Sequence, residues 1–562
     1  MCALPSSDNY PFFDRDLLES GEDFSVVGGG QLGGKSLGLA MARRIIADAC
    51  PPGAIEGIEV AIPRLTVLRT ELFEQFMAQN DLYEIALGNL SDERIAHAFV
   101  KAELPPLLVG DLHALIAKVR TPLAVRSSSL MEDALHHPFA GVYATKMIPN
   151  NQATVRERFK KLTDAVKLIW ASTFFGDAKR YMSAIDQPIQ DERMAVVIQE
   201  VVGERFNERF YPIVSGVIRT YNCYPTGASR AEDGVVNLAL GLGKSIVDGG
   251  VTWVYNPRFP GRPPPVGSVR DMITNTQSRF WAINMAPASF DPINEAEHLV
   301  QMGLDIAEWD DVLRFTASTY DGASNRLVIG TAAEGPRVLT FSRILELGDV
   351  PLNDVVRRLS NACKSATQSD VEIEFALTLD RRHGLPARFG FLQMRPMMTD
   401  SSSVTVDEAE LTSDRTLVAS ESVLGNGRDD TVMDIIYVKP AAFDAKHTPA
   451  IAKEIESLNA ELQSAGRRYL LIGFGRWGSS DPWLGIPVTW PQLSGARVIV
   501  EATLPEINVD ASQGSHFFHN MISFQVLYFM VHHDEQYAIG WDWLDRRPAS
   551  IETRFLRHVR LE

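Results

Sequence analysis

Two short segments near residue 380 constrain the fold more than any other part of the chain. Residues 371–377 read VEIEFAL and residues 389–396 read FGFLQMRP. Each alternates with period two, the pattern of a strand whose two faces meet different surroundings. The first puts Glu372 and Glu374 on one face and Ile373 and Phe375 on the other, while the second puts Gln393 and Arg395 together. The loop between them holds Gly384 and Pro386, as a hairpin connection does. Paired in this way, the strands bring two carboxylates, an amide oxygen and a guanidinium to one surface. That set suits Mg2+, a hard cation that takes oxygen ligands, beside a phosphate whose charge the arginine neutralises.

A second anion-binding pattern lies upstream, in PLAVRSSSLMEDALHHPFAGVYAT at residues 122–145. Leu123, Ala124 and Val125 read as a short strand that ends on Arg126 and three serines, Ser127 to Ser129. Glu132 and Asp133 follow, then Phe139, Ala140 and Gly141. A guanidinium backed by hydroxyl donors suits a phosphate, and a glycine lets backbone approach a ligand where a Cβ would block it. Earlier still, an apolar run at 24–30 leads through Gln31, Leu32, Gly33, Gly34, Lys35 and Ser36 into a helix with Leu37, Ala40, Met41 and Ile45 on one face. Residues 29–36, GGQLGGKS, satisfy the P-loop expression. The same residues also suit a different phosphate loop built from glycines and a lysine. A P-loop enzyme needs an apolar strand ending in an acidic metal ligand, and residues 194–200, MAVVIQE, match that imperfectly.

The stretch from 65 to 120 alternates helical patterns with polar breaks and reads as scaffold. Residues 155–182 read as one or two helices, and 194–198 as a buried strand ending at Gln199 and Glu200, where exposed main-chain groups suit an adenine ring. A second glycine bend, Gly241, Leu242, Gly243 and Lys244 with Asp248, Gly249 and Gly250, follows the apolar run 235–240.

Composition bounds the function classes. The chain has 562 residues, room for three or four domains, and a formal net charge of −17 with no long Lys/Arg run. Nucleic acid and anionic membranes are therefore not expected partners. Four cysteines, Cys2, Cys50, Cys223 and Cys363, stand far apart and form neither a zinc knuckle nor a disulfide framework. No leader pattern opens the chain and no stretch of about 18 apolar residues occurs, so a cytoplasmic protein is expected.

These motifs occur in a fixed order: GGKSLGLA at 33–40, AVRSSSLMED at 124–133 with FAG at 139–141, SGV at 215–217, GLGKSIVDG at 241–249, EIEF at 372–375 and LQMRP at 392–396. The series resembles the nucleotide-binding, ATP-grasp-type half of phosphoenolpyruvate synthase and pyruvate phosphate dikinase, over roughly residues 20–398. The resemblance implies that Lys35, Arg126 and Arg395 contact ATP phosphates. It assigns Gly34, Ser127, Gly241 and Gly243 to the nucleotide site, and the strand end Gln199, Glu200 and Val202 to adenine. It makes Glu372, Glu374 and Gln393 the Mg2+ set, with Glu374 also near the nucleotide. The sequence departs from the family at Lys244, where an acid is usual, and at Glu372, where aspartate is usual.

Downstream, residues 399–414, with Ser401 to Ser403 and several acids, read as a linker. LVASESVLGNG at 417–427 resembles the start of the swivelling phosphohistidine domain of these enzymes, with ARVIVE at 496–501 as a later strand. If Ser515 caps a helix, His516, His519, Asn520 and Ser523 share its polar face while Phe517, Met521, Phe524 and Tyr528 point inward. A helix start favours a neutral imidazole and an incoming phosphoryl group. His516 is the preferred carrier, His519 the alternative, and a degenerate domain whose histidines are structural is the third reading. Residues 469–487 contain Gly473, Gly475 and Gly478 in the spacing GxGxxG, but SSDPW follows where a dinucleotide site needs a helix. Arg476, Ser479 and Ser480 suit an anionic substrate instead, and a structural turn with Trp477 and Trp483 in the core is the plainer alternative. The family's third part, a (β/α)8 barrel of about 250 residues, does not fit in the remaining length.

The expected architecture is therefore a multidomain α/β and α+β chain: a lead-in at 1–20, an ATP-grasp-like first lobe at 21–230, a second lobe with the metal site at 231–398, a linker at 399–415 and a small phosphohistidine-like α/β domain at 416–562. The expected activity is ATP-dependent phosphotransfer to an unidentified small-molecule or protein acceptor. The alternatives are a direct ADP-forming kinase and a non-catalytic nucleotide sensor. A homo-oligomer is left open.

Overall fold

The computed structural model describes the chain except residues 1–9, 15–22, 133–140, 186, 226–227, 265–268, 275, 287–290, 292, 294–297, 380–385, 398–403, 405, 426, 506, 508, 510, 513–514, 534–536 and 562. Asp133, Phe139, Ala140, Gly384 and Ser401 to Ser403 therefore lie outside the described residues. The chain forms two compact units. The first takes in the described residues up to Met397 other than 247–250, and the second takes in 247–250 and the described residues beyond Met397.

In the first unit, β1 (Phe24–Val27) runs through the glycine turn into α1 (Gly34–Ala49), followed by β2 (Ile58–Ala61) and β3 (Leu65–Leu68). Helices Thr70–Gln79, Tyr83–Leu87, Asp92–Lys101 and Pro106–Lys118 fill the stretch read as scaffold. Then come β4 (Leu123–Ser129), β5 (Thr145–Ile148), α2 (Val155–Ser172) and β6 (Met194–Glu200). Thr154 starts α2 with a capping box, its hydroxyl accepting from the Glu157 amide while the Glu157 carboxylate takes the Thr154 amide. A short helix, Gly176–Ala184, follows α2, so two helices occupy this part of the chain. The five strands β1, β3, β6, β4 and β5 form one sheet in that order.

The second sheet of this unit adds β7 (Val214–Arg219), β8 (Val235–Ala239), β9 (Trp253–Tyr255), β10 (Val371–Thr378) and β11 (Ala387–Pro396), in the order β9-β8-β7-β10-β11-β2. A helix, α3 (Leu352–Thr367), leads into β10. β10 and β11 pair antiparallel, with Glu372 opposite Arg395 and Glu374 opposite Gln393 and an irregularity between Glu374 and Phe375. Ile373, Phe375 and Met394 sit in the main core with Leu39 and Ala40 of α1, so the charged residues of the hairpin occupy the other face. α1 itself is buried more widely than its apolar spacing predicts. Ser36, Leu39, Ala42 and Ile46 join Ala40 and Ile45 inside, and Leu37 and Met41 are only partly buried, because the helix is packed against both sheet residues and α3.

The second unit is built on one seven-stranded sheet. In chain order its parts are β12 (Ser422–Leu424), β13 (Val432–Val438), α4 (Thr448–Ser464), β14 (Arg468–Phe474), β15 (Ala496–Ala502), α5 (His516–Ser523), β16 (Leu527–Val531), β17 (Ala549–Glu552) and β18 (Leu556–Arg560). Strands β13, β14, β15 and β16 are parallel neighbours, and β12, β18 and β17 extend the sheet antiparallel. After β14 the chain turns at Gly475 into a short strand, Arg476–Trp477, paired with Gly485–Ile486, and no helix starts there. The dinucleotide reading fails on that ground. Trp477 is buried as a structural turn requires, whereas Trp483 is 76% exposed and so is not a core residue. Among the described residues, no helix is long and apolar enough to cross a membrane.

Candidate functional site

The glycine turn is fixed by close packing. Gly33 has φ 78°, and a Cβ there would lie 1.8 Å from the Ser128 carbonyl oxygen, so only glycine closes this contact. The Ser128 hydroxyl donates to the Leu32 carbonyl at 3.0 Å and accepts from the Ser36 amide at 3.1 Å. The Gln31 amide donates to Thr70 Oγ1 at 2.9 Å. Two amides that a P-loop would turn toward phosphate are thus bonded to neighbouring elements, which favours the alternative phosphate loop.

Gly34 begins α1, and Lys35 projects from its first turn. The Lys35 ammonium pairs with Glu132 and donates to Ser127 Oγ at 3.4 Å. Glu132 is held in turn by the Ser127 hydroxyl and the Ser129 amide, each at 2.9 Å. Behind it, Tyr143 donates to Glu192 at 3.1 Å. Burial pushes the Glu192 carboxyl up to about 7 and the Tyr143 hydroxyl well above its ordinary value.

Arg126 reaches from the middle of β4 to the hairpin. It donates to the Leu392 carbonyl at 3.0 Å and to Gln393 Oε1, and its Nη2 lies 3.5 Å from Glu374. Lys35, Arg126 and Glu374 are each partly open, at 15%, 14% and 17% of side-chain exposure. Glu372 and Arg395 differ. Glu372 is 1% exposed and accepts from both Arg219 and Arg395, so the carboxylate expected on a metal and the arginine expected on phosphate meet each other across the strands. The reason is register: Arg219, Glu372 and Arg395 stand directly opposite one another on β7, β10 and β11.

Gln199 shares a sheet face with Arg126, since Ala124 lies opposite Gln199 and Arg126 opposite Val197. Its side chain is 2% exposed, and its amide nitrogen has no hydrogen-bond partner among the described residues. A buried orphan donor of this kind fits an acceptor on a ligand. The neighbouring main chain is committed: the Glu200 amide donates to the Arg64 carbonyl and the Val201 amide to the Pro122 carbonyl. Val202 packs on the hairpin, its Cγ2 2.4 Å from the point a Cβ on Gly390 would occupy. Gly241, at φ 80°, accepts from the Ser215 hydroxyl at 2.7 Å, and Gly243 lies beside Ser215. Lys244 rests its ammonium 5.7 Å from the centroid of the Trp281 ring.

In the second unit, Ser515 caps α5 by accepting from the Phe518 amide at 3.1 Å. Of the polar face expected on this helix, the Ser523 side chain lies outside the described residues, and the rest is only partly solvated. His519 and Asn520 are buried together with Phe517 and Met521, only His516 of the two histidines is partly exposed, and Tyr528 lies on β16. The cause is a wedge: a Cβ on Gly478 would lie 2.5 Å from the Phe517 Cβ, so the glycine turn after β14 lies against the first turn of α5.

Sequence reasoning missed Arg219, Glu192 and the clamp formed by Ser36 with Ser128. An arginine inside the apolar run VSGVIR was a readable signal for the first, because a buried cation demands a partner. The other two depend on contacts between distant segments and left no local mark.

Residues 30–415 match the family described as pyruvate phosphate dikinase, AMP/ATP-binding domain. A stretch of 191 residues, 34% of this chain, is 30% identical to an uncharacterized phosphotransferase, YvkC, of Bacillus subtilis (strain 168) and covers 20% of that protein. A stretch of 170 residues, 29% of this chain, is 30% identical to a phosphoenolpyruvate synthase of Aeropyrum pernix (strain ATCC 700893 / DSM 11879 / JCM 9820 / NBRC 100138 / K1) and covers 18% of it. These stretches span about a fifth of each relative's length. With a match that runs over more than half of its residues and takes in every part of the Lys35, Arg126 and Glu374 cluster, the chain belongs to the pyruvate phosphate dikinase AMP/ATP-binding domain family.

Proposed function

We propose that the first unit, read as ATP-grasp-like, binds Mg-ATP at the Lys35, Arg126 and Glu374 cluster and passes a phosphoryl group to an acceptor. The observation that carries this is convergence. Two consecutive residues of β4 draw in segments far apart in sequence: Arg126 meets Glu374 and the Gln393 amide of the hairpin, Ser127 accepts from Lys35 of α1, and a buried orphan donor, Gln199 Nε2, shares the face of Arg126. Lys35 and Arg126 supply fixed positive charge for the phosphates, and phosphoryl transfer rests mainly on such positioning and electrostatics. Gln199 would hold the base, with Val202 as apolar lining.

The donor set fits Mg2+ in part. Glu374 and the Gln393 amide oxygen are hard ligands facing each other across the hairpin, while Glu372 is committed to two guanidiniums. No group of three or more metal-binding side chains occurs among the described residues. One carboxylate and one amide suit a cation whose shell is completed by substrate phosphates. When bound, Mg2+ would neutralise phosphate charge.

The finer reading is a dikinase-type transfer through His516 in a phosphohistidine-like second unit, to a small-molecule or protein acceptor. The burial of His519, at 6% exposure, supports His516 as the carrier. Incubation with ATP, nucleotide product analysis and mass spectrometry of the protein test it together. AMP with phosphate on His516 supports the proposal, ADP with no phosphohistidine overturns the carrier in favour of direct transfer, and nucleotide binding with no turnover supports a sensor.

A further inference from the structure

Arg219, Glu372 and Arg395 form a straight row across three adjacent strands, and their side chains are 2%, 1% and 4% exposed. Glu372 Oε2 accepts from Arg219 Nε at 2.9 Å, and Oε1 accepts from Arg395 Nε at 2.9 Å. Arg219 is anchored from behind: its Nη1 donates to Asn237 Oδ1 at 3.2 Å, and Asn237 Nδ2 donates to Thr252 Oγ1 at 2.8 Å. The chain of bonds therefore runs from Thr252 through Asn237, Arg219 and Glu372 to Arg395, two register positions from the Glu374 and Gln393 pair that Arg126 touches.

A carboxylate with a guanidinium on each oxygen is a poor place for a divalent cation. The ion would have to displace charge-assisted bonds and sit against two fixed positive charges in a site of low dielectric. Glu374 touches a single guanidinium edge at 3.5 Å and is partly open. We infer that Glu372 is not a metal ligand in this protein but the anchor of Arg395, that Arg219 is the positioning residue that holds Glu372 in that role, and that Glu374 is the hairpin carboxylate available to the cation. The inference rests on the Mg-ATP reading of the site and assigns its parts.

The row has a net charge of +1, and the double variant R219M/E372Q keeps that charge, so it removes the extra buried cation that Glu372→Gln alone would leave. Wild type, Glu372→Gln, R219M/E372Q, Glu374→Gln and Lys35→Met are compared as full-length protein in two direct binding assays. One is calorimetric titration with ATP in EDTA. The other is Mn2+ binding by electron paramagnetic resonance with a saturating non-hydrolysable ATP analogue. Glu372→Gln and the double variant should weaken metal-free ATP binding tenfold or more while Mn2+ affinity stays within twofold, and Glu374→Gln should lower Mn2+ affinity tenfold or more. A tenfold loss of Mn2+ affinity in Glu372→Gln with metal-free ATP affinity retained makes Glu372 a ligand and overturns the inference. Unchanged binding in both assays, or parallel loss in both, also overturns it. Lys35→Met separates the two levels: ATP binding equal to wild type in that variant sinks the nucleotide-site reading itself.

Discussion

Glu372 in the first unit and Glu501 in the second are both fully buried carboxylates on sheet strands, and the groups that satisfy them differ in kind. Glu501 receives neutral donors: the Trp477 amide at 2.8 Å, the Ser512 amide and hydroxyl at 3.2 and 2.6 Å, and the Tyr528 hydroxyl at 2.6 Å. Burial raises its carboxyl above the ordinary range and those bonds oppose the rise. The donors come from the turn after β14, the loop after β15 and β16, so Glu501 stitches the connections of its own sheet. Glu372 instead receives two guanidiniums in a row that leads to the Arg126 cluster. A buried acid capped by neutral donors fixes shape, whereas one set between cations fixes where charge stands, and only the latter reaches the proposed nucleotide site. That distinction supports the proposal that the nucleotide binds in the first unit.

The largest expected effect breaks the comparison at Arg126. Arg126→Ala should lower ATP-dependent turnover by about 10²- to 10³-fold, the scale seen when one preorganised charge-stabilising donor is removed. The melting temperature should stay within about 3 °C, since the lost bonds to Leu392 and Gln393 are partly open to solvent. A large fall in melting temperature that accounts for the lost turnover would place Arg126 with Glu501 as a fold residue.

Glu501→Ala reverses the pattern. Removing the carboxylate takes the acceptor from the buried Trp477 amide and Ser512 hydroxyl and leaves the Ser512 amide only its 3.2 Å bond to the Tyr528 hydroxyl, which should cost the second unit about 3 kcal/mol in denaturant unfolding. ATP affinity, measured by calorimetry below the unfolding transition, should change less than twofold. A matching loss of ATP affinity would erase the difference drawn between the two acids.

Glu192 supplies a pH-dependent version of the same contrast, because no arginine or lysine bond offsets its burial and its carboxyl sits at about 7 in the folded chain. The folded state therefore binds a proton that the unfolded state, titrating near 4.5, releases. Stability from this group is greatest below pH 4.5, falls as pH rises from about 4.5 to about 7, and is flat above that. The span corresponds to about 3 kcal/mol. Glu192→Gln should flatten that slope and raise stability at pH 8 relative to wild type. Urea denaturation at pH 5, 6, 7 and 8 reads both changes, and an unchanged slope would sink the assignment.

Much of the first unit was legible because its signals are local. Period-two alternation put Glu372 with Glu374 on one strand face and Gln393 with Arg395 on one face of the next, and the glycines of 28–34 announced a turn, whereas the strand expected to end on Arg126 runs on to Ser129. What escaped was whatever register decides between segments far apart. Nothing in the residues around 219 or 372 says that β7 lies beside β10, yet that neighbourhood alone turns Glu372 from an open carboxylate into a buried one. The second unit was less readable for a related reason. Helical spacing assigns His519 and Asn520 to a polar face, but in an eight-residue helix wedged against the Gly478 turn both are buried.

The smallest expected effect sharpens the comparison at Ser515. Its hydroxyl caps α5 by accepting from the Phe518 amide, so Ser515→Ala removes that bond at the helix start. The cost should be about 1 kcal/mol, the usual price of losing such a cap, and it should appear in the unfolding of the second unit alone. Ser515→Asp keeps an acceptor at the same position and adds a charge that the helix start favours, so it should recover at least half of that loss. Thermal denaturation of the three proteins followed by circular dichroism gives both numbers. If Ser515→Ala instead weakens ATP binding in calorimetry, the cap belongs with the Glu372 row as a support of the nucleotide site, and the line drawn between shape-fixing and charge-fixing polar groups does not run between the two units.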